Sequence, residues 1–120
     1  MADAAQAAAT YFDAWKHRDF DRVRSVLADD ATFAGPLGTA GDGDARCEGL
    51  KGLSQIVTDI VIRKTLADDA DVMTWFELHT KVAPPADVVN WSHVADGRID
   101  RIRVTFDARD LAPPAASDGD

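Results

Sequence analysis

Residues 88–107 read Val-Val-Asn-Trp-Ser-His-Val-Ala-Asp-Gly-Arg-Ile-Asp-Arg-Ile-Arg-Val-Thr-Phe-Asp. Two β-prone runs flank Asp96-Gly97, and a two-residue Asp-Gly loop is a strong hairpin signal. Gly97 takes a positive φ without steric cost, and Asp96 tolerates one better than most residues. In the second arm Ile102, Val104 and Phe106 alternate with Arg101, Arg103, Thr105 and Asp107. One face of that arm is therefore dry, and the other is wet or in an interface. In the first arm the two sets are Val88, Asn90, Ser92, Val94 and Val89, Trp91, His93. Asn90 and Ser92 stand where a purely structural inner face would carry aliphatic side chains. The inner face is thus a candidate pocket lining.

Working outward, residues 72–82 alternate as well. Val72, Thr74, Phe76, Leu78 and Thr80 form one set, and Met73, Trp75, Glu77, His79 and Lys81 the other. Residues 61–66 read as a further strand, and Leu50, Leu53, Ile56, Val57 and Ile60 have the 3–4 spacing of a helix over 50–60. Between 35 and 49 lie five of the eight glycines of the chain, which predicts a long loop of the kind that often carries function. Asp42 and Asp44 lack the further ligands of a calcium loop. Cys47, the single cysteine, has no His or Asn close in sequence to activate it and reads as a buried or idle thiol. Residues 3–18 form a first helix with Asp3 as N-cap, a stripe of Ala4, Ala8, Tyr11 and Trp15, and Lys16, His17 and Arg18 in its last turn. His17 reads as a helix-end residue. Asp19 caps a second short helix that Asp29-Asp30 closes, and a short strand begins at 31–34.

At 120 residues with 46% hydrophobic content, the chain has room for one domain and one core, placed at 1–111. Residues 112–120, Ala-Pro-Pro-Ala-Ala-Ser-Asp-Gly-Asp, read as a disordered tail. Thirteen basic against twenty-one acidic residues give a formal charge of −8, which disfavours nucleic acid and anionic membranes as partners. No run approaches the ~20 apolar residues of a membrane span. The N-terminus lacks the features of a signal peptide, and with one cysteine the expected compartment is the cytoplasm. Helices first and an antiparallel meander afterwards predict an α+β fold, with helices packed on one face of a curved sheet.

Three stretches in order resemble the nuclear transport factor 2-like superfamily and, within it, the SnoaL-like group. They are Tyr11-Phe12-Asp13-Ala14-Trp15 through Asp19-Phe20-Asp21, then Ala28-Asp29-Asp30-Ala31-Thr32-Phe33 with Pro36, and Asp96-Gly97-Arg98-Ile99 through Phe106-Asp107. The resemblance implies a cone: three helices from the N-terminal half packed on a curved, mostly antiparallel sheet, enclosing an apolar pocket. Carried onto this sequence, the wall comprises Tyr11, Trp15, Phe33, Leu53, Val57, Phe76, Leu78, Asn90, Ser92, Ile102, Val104 and Phe106. Overlaid on the ketosteroid isomerases of this superfamily, the oxyanion-hole tyrosine falls on Tyr11 and the second oxyanion donor on Asn90. The position of the proton-shuttling aspartate falls on Gly35, so the base is missing there. Asp42 or Asp44, swinging in from the loop, is the remaining candidate for a base.

Three readings stay open. One is an isomerase- or cyclase-type enzyme using Tyr11, Asn90 and a loop aspartate. Another is a non-catalytic pocket for a small apolar, oxygen-bearing molecule such as a phenol or steroid. The third is a dimerisation module whose inner residues are only core. No cofactor is expected. A metal is not expected either, because His79 and His93 share a face without a third ligand. That face carries Met73, Trp75, Trp91, His93, Arg101 and Arg103, an aromatic and arginine composition that predicts a homodimer through the convex side of the sheet.

Overall fold

In a computed structural model, residues 4–109 are described. The proposed cap Asp3 and the tail at 112–120 lie outside them. Helix α1 (Ala4–Lys16) buries the expected stripe, Ala4, Ala8, Tyr11 and Trp15, together with Ala7, Phe12 and Ala14. It ends in a Schellman-type closure: Arg18 takes φ 59, its N–H donates to the Trp15 carbonyl, and the Asp19 N–H donates to that of Ala14. Asp19 then caps α2 (Phe20–Ser25) by accepting from the Arg22 N–H at 3.2 Å.

The strands are β1 (Leu27–Gly35), β2 (Gly38–Ala40), β3 (Val57–Asp68), β4 (Asp71–Thr80), β5 (Ala86–Ala95) and β6 (Arg98–Thr105), with α3 (Gly43–Ser54) between β2 and β3. They form one sheet in the order β2-β1-β6-β5-β4-β3. Only the β1–β6 pairing is parallel; the other neighbours run antiparallel. The β5–β6 hairpin turns where the Asp-Gly signal placed it, with φ 55 at Asp96 and φ 78 at Gly97. Val88, Asn90, Ser92 and Val94 all face inward and are buried. The α+β, cone-shaped architecture is the expected one.

Three boundaries differ from expectation. Strand β1 begins at Leu27 rather than at 31, so Asp29-Asp30 lie inside it; Asp29 is held outward by Arg24 at 2.7 Å instead of closing the preceding helix. The stretch 35–49 is not a long loop. It contains the β1–β2 hairpin, and from Gly43 it is already helix, because Asp42 accepts from the Ala45 N–H at 2.7 Å and supplies the cap. Gly43 is glycine for a packing reason: a Cβ there would stand 2.5 Å from the Ala28 carbonyl oxygen. The third helix accordingly stops at Ser54 rather than 60, and the stretch Val57-Thr58-Asp59-Ile60-Val61-Ile62, β-branched at all positions but Asp59, goes to β3, paired along β4.

The helices cover the concave face of the sheet. Its aromatic centre joins α1 to β4: the Phe76 ring lies 5.1 Å from Phe12 and 5.9 Å from Trp15, the latter edge-on. Among the described residues no helix is long and apolar enough to cross a membrane.

Candidate functional site

A cavity of about 210 Å³ opens between α3, the β1–β2 hairpin and the inner face of the sheet. Its walls include eight of the residues assigned to a pocket wall from sequence: Trp15, Phe33, Leu53, Phe76, Leu78, Asn90, Val104 and Phe106. The hairpin and helix add Pro36, Leu37, Gly38, Thr39, Ala40, Ala45, Arg46 and Gly49, and β5 adds Val88. Alternation along β4, β5 and β6 brings the sheet residues to one face. The helical spacing 46-49-53 brings Arg46, Gly49 and Leu53 to meet them.

Four residues assigned to the wall stand elsewhere. Ile102 is fully buried core. Val57 opens β3 beside the end of α1, where its carbonyl accepts from Arg18 at 3.0 Å. Ser92 sits behind Asn90 and donates to its Oδ1 at 2.9 Å. In this orientation of the amide, Asn90, 2% exposed, has its oxygen occupied and its NH₂ group without a hydrogen-bond partner among the described residues. Tyr11 is completely buried and accepts from Arg46 Nε at 3.0 Å. Burial pushes the Tyr11 phenol up, against the pull of Arg46, so the hydroxyl keeps its proton at neutral pH.

The loop aspartates do not line the cavity. Asp42 is committed to the α3 cap, and Asp44 receives the Arg24 Nε at 2.8 Å on the exposed side of that helix. Among the described residues, none that lines the cavity is an Asp, Glu or His. At Gly35 a Cβ would stand 3.0 Å from Phe33 Cζ and 3.4 Å from Val104 Cβ, so the place of the missing aspartate is filled by the edge of a ring.

Arg46 is the residue that sequence reading missed. It is 8% exposed, and its guanidinium carbon lies 3.7 Å from the Phe33 ring centroid. The signal was present: Arg46 stands four residues before Leu50 and seven before Leu53. Treating 35–49 as loop removed it from the helical stripe. Cys47, beside it, is buried with Sγ 3.5 Å from the Phe20 carbonyl, and burial pushes its thiol up, away from nucleophilic use.

On the outer face His79 Nε2 contacts Glu77 at 3.0 Å and His93 Nδ1 contacts Asp100 at 2.6 Å. Among the described residues no group of three His, Cys, Asp or Glu side chains is placed to hold a metal ion.

Comparison with known proteins places this geometry in a family. The model of the SnoaL-like domain matches residues 8–102. A solved protein from Kribbella flavida superposes with a TM-score of 0.85 at 26% identity, over 91% of this chain and 90% of its own. An NTF2-like protein of unknown function from Cytophaga hutchinsonii gives 0.82 at 18% identity, over 92% and 96%. An LEH-like epoxide hydrolase of M. tuberculosis gives 0.76 at 26% identity, over 90% and 85%. No curated protein matches the sequence. The chain belongs to the SnoaL-like domain family, with the NTF2-like fold.

Proposed function

We propose, from the premise that this is a SnoaL-like domain, that the cavity binds a small hydrophobic molecule bearing oxygen. The observation that carries this reading is the Asn90 amide. Its NH₂ group is buried on an apolar wall with no partner among the described residues, and an unsatisfied buried donor costs on the order of 1–3 kcal/mol. A ligand oxygen relieves that cost while the ring lies against Trp15, Phe76, Leu78 and Phe106. Size favours one ring: an apolar cavity of roughly 150 Å³ is known to admit benzene, and this one offers about 210 Å³. A single substituted ring therefore suits it better than a four-ring skeleton. Binding rather than turnover is the better-supported activity, because the lining offers hydrogen-bond donors and, among the described residues, no carboxylate or imidazole to act as base.

Calorimetric titration with p-cresol, benzyl alcohol and benzoate checks this. At least one should bind saturably, and Asn90→Leu should weaken the neutral alcohols by about two- to tenfold, the worth of one hydrogen bond. Failure of all three to bind the wild type would overturn the reading.

We propose that the partner is a second copy of the chain, and the convex face has the composition for it. Leu66, Met73 and Trp91 follow one another across β3, β4 and β5 in register, and Trp75 stands beside Val89 on the next row. Trp75 is 44% exposed, and Leu66, Met73 and Val89 are exposed with it. Their rim is charged: Trp75 donates to Asp87 and Trp91 to Asp71, while Arg101 lies over the Trp91 ring. An apolar centre with a polar rim is the anatomy of an interface. Light scattering at micromolar concentration should report twice the 12.9 kDa chain mass for the wild type and the monomer for Trp75→Glu, which would bury an unpaired charge in each copy. A wild-type monomer would refute the dimer.

A further inference from the structure

Arg46 is the buried charged side chain of the described structure, and it has no acid. Taking a cation out of water costs several kcal/mol unless it is paired, and one left bare is a site of stored demand for an anion. The chain is not short of partners. It carries eight more acidic than basic residues, and the surface cations use them: Arg22 meets Asp13, Arg24 meets Asp29 and Asp44, Arg63 meets Glu77 and Lys51 meets Glu48. Acids are in excess, yet among the described residues none pairs with Arg46.

The guanidinium is nevertheless fixed. Its Nε donates to Tyr11 Oη at 3.0 Å, and its face lies on the Phe33 ring at 3.7 Å from the centroid. Those two contacts set the plane and the rotation, and the Nη1 and Nη2 groups have no hydrogen-bond partner among the described residues. A planar fork held this way, beside the wall that also presents the Asn90 NH₂, is preorganised for two parallel hydrogen bonds to one carboxylate. The remainder of the cavity is apolar and about one ring in size.

We infer that the ligand is an apolar carboxylate: a monoanion whose carboxyl group pairs with Arg46 and whose ring or short hydrocarbon chain fills the space between Trp15, Phe76 and Phe106. This rests on the proposal that the cavity binds a small hydrophobic molecule, and it fixes the charge and the polar group of that molecule. It also accounts for the combination of features that a neutral-ligand pocket leaves unexplained, a buried cation with its donor edge unused in a strongly acidic protein.

The test compares benzoate and phenylacetate with their uncharged counterparts benzamide and benzyl alcohol, by calorimetry at pH 7, in wild type and Arg46→Met. Wild type should bind the acids at least about tenfold more tightly than the neutral rings. Arg46→Met should lose about 30-fold or more for the acids, the effect of truncating one member of a buried charge pair. The loss for benzyl alcohol in the same variant should be several-fold smaller than the loss for the acids. Should Arg46→Met fail to fold, the wild-type preference of benzoate over benzamide decides alone. Equal binding of acids and neutral rings overturns this inference and leaves the pocket reading standing, whereas absence of binding by all four overturns both.

Discussion

Phe76→Ala is expected to lower folding stability by about 3–5 kcal/mol, which for a domain of this size is a fall in Tm on the order of 10–20 °C. Phe76 is 3% exposed, and its ring joins Phe12 and Trp15 of α1 to the middle of β4. It is therefore the aromatic contact that ties the first helix to β4. Its removal deletes two ring pairs and enlarges a cavity that already exists, and the surrounding strands are held in register too firmly to collapse into the space. Since folded domains hold only about 5–15 kcal/mol in total, the loss is a large share of stability. The same change should admit a two-ring acid. Saturating 2-naphthoate should then raise the Tm of Phe76→Ala by more than it raises that of wild type, because a ligand stabilises only the form that binds it. Chemical denaturation that reports a loss below about 1 kcal/mol would show that the ring is not what ties α1 to β4.

The sheet was legible because its signals were local and redundant. The Asp96-Gly97 turn and the period-two pattern on either side fixed the hairpin, and alternation alone placed Phe76, Leu78, Asn90 and Val104 on the inner face where the cavity lies. The convex face was readable for the same reason, since Met73, Trp75 and Trp91 are simply the other half of that alternation. What could not be read was the start of α3. Five glycines between 35 and 49 argue for loop by propensity, whereas the helix is set by one side chain, the Asp42 carboxylate, and by a tertiary constraint, the approach of Gly43 to the Ala28 carbonyl. That single error moved Arg46 out of the helical stripe and turned Asp42 and Asp44 into free loop acids. The pocket holds a cation where the loop reading supplied an acid. Tyr11 was placed on the correct helix and the correct side, but it lies fully buried behind the cavity wall, where its oxygen accepts from Arg46.

Gly35→Asp, the change that would restore the isomerase-type aspartate, should weaken acid binding rather than create a catalyst. A Cβ at this position meets Phe33 Cζ at 3.0 Å, so the ring must give way, and that ring is the surface on which the Arg46 guanidinium rests. The new carboxylate would share a low-dielectric site with an unpaired guanidinium. Both would lie against the Phe33 ring, and opposite charges in such an apolar setting attract more strongly than two exposed charges in water, so the two groups should pair. Pairing lowers the pKa of the carboxyl and leaves it a weak base, while the cation is no longer open to a ligand. Benzoate affinity should fall by about 30-fold or more, the same scale as for Arg46→Met. Turnover of a β,γ-unsaturated ketone should remain at the buffer rate, in contrast to the ~10²–10⁴-fold that a well-placed general base contributes. Gly35→Asn separates the two effects: it crowds Phe33 to the same degree without a charge, and should retain most of the benzoate affinity that Gly35→Asp loses. Isomerase turnover gained in Gly35→Asp with benzoate binding intact would mean that the new carboxylate and Arg46 do not meet, and that the cavity is one residue away from catalysis.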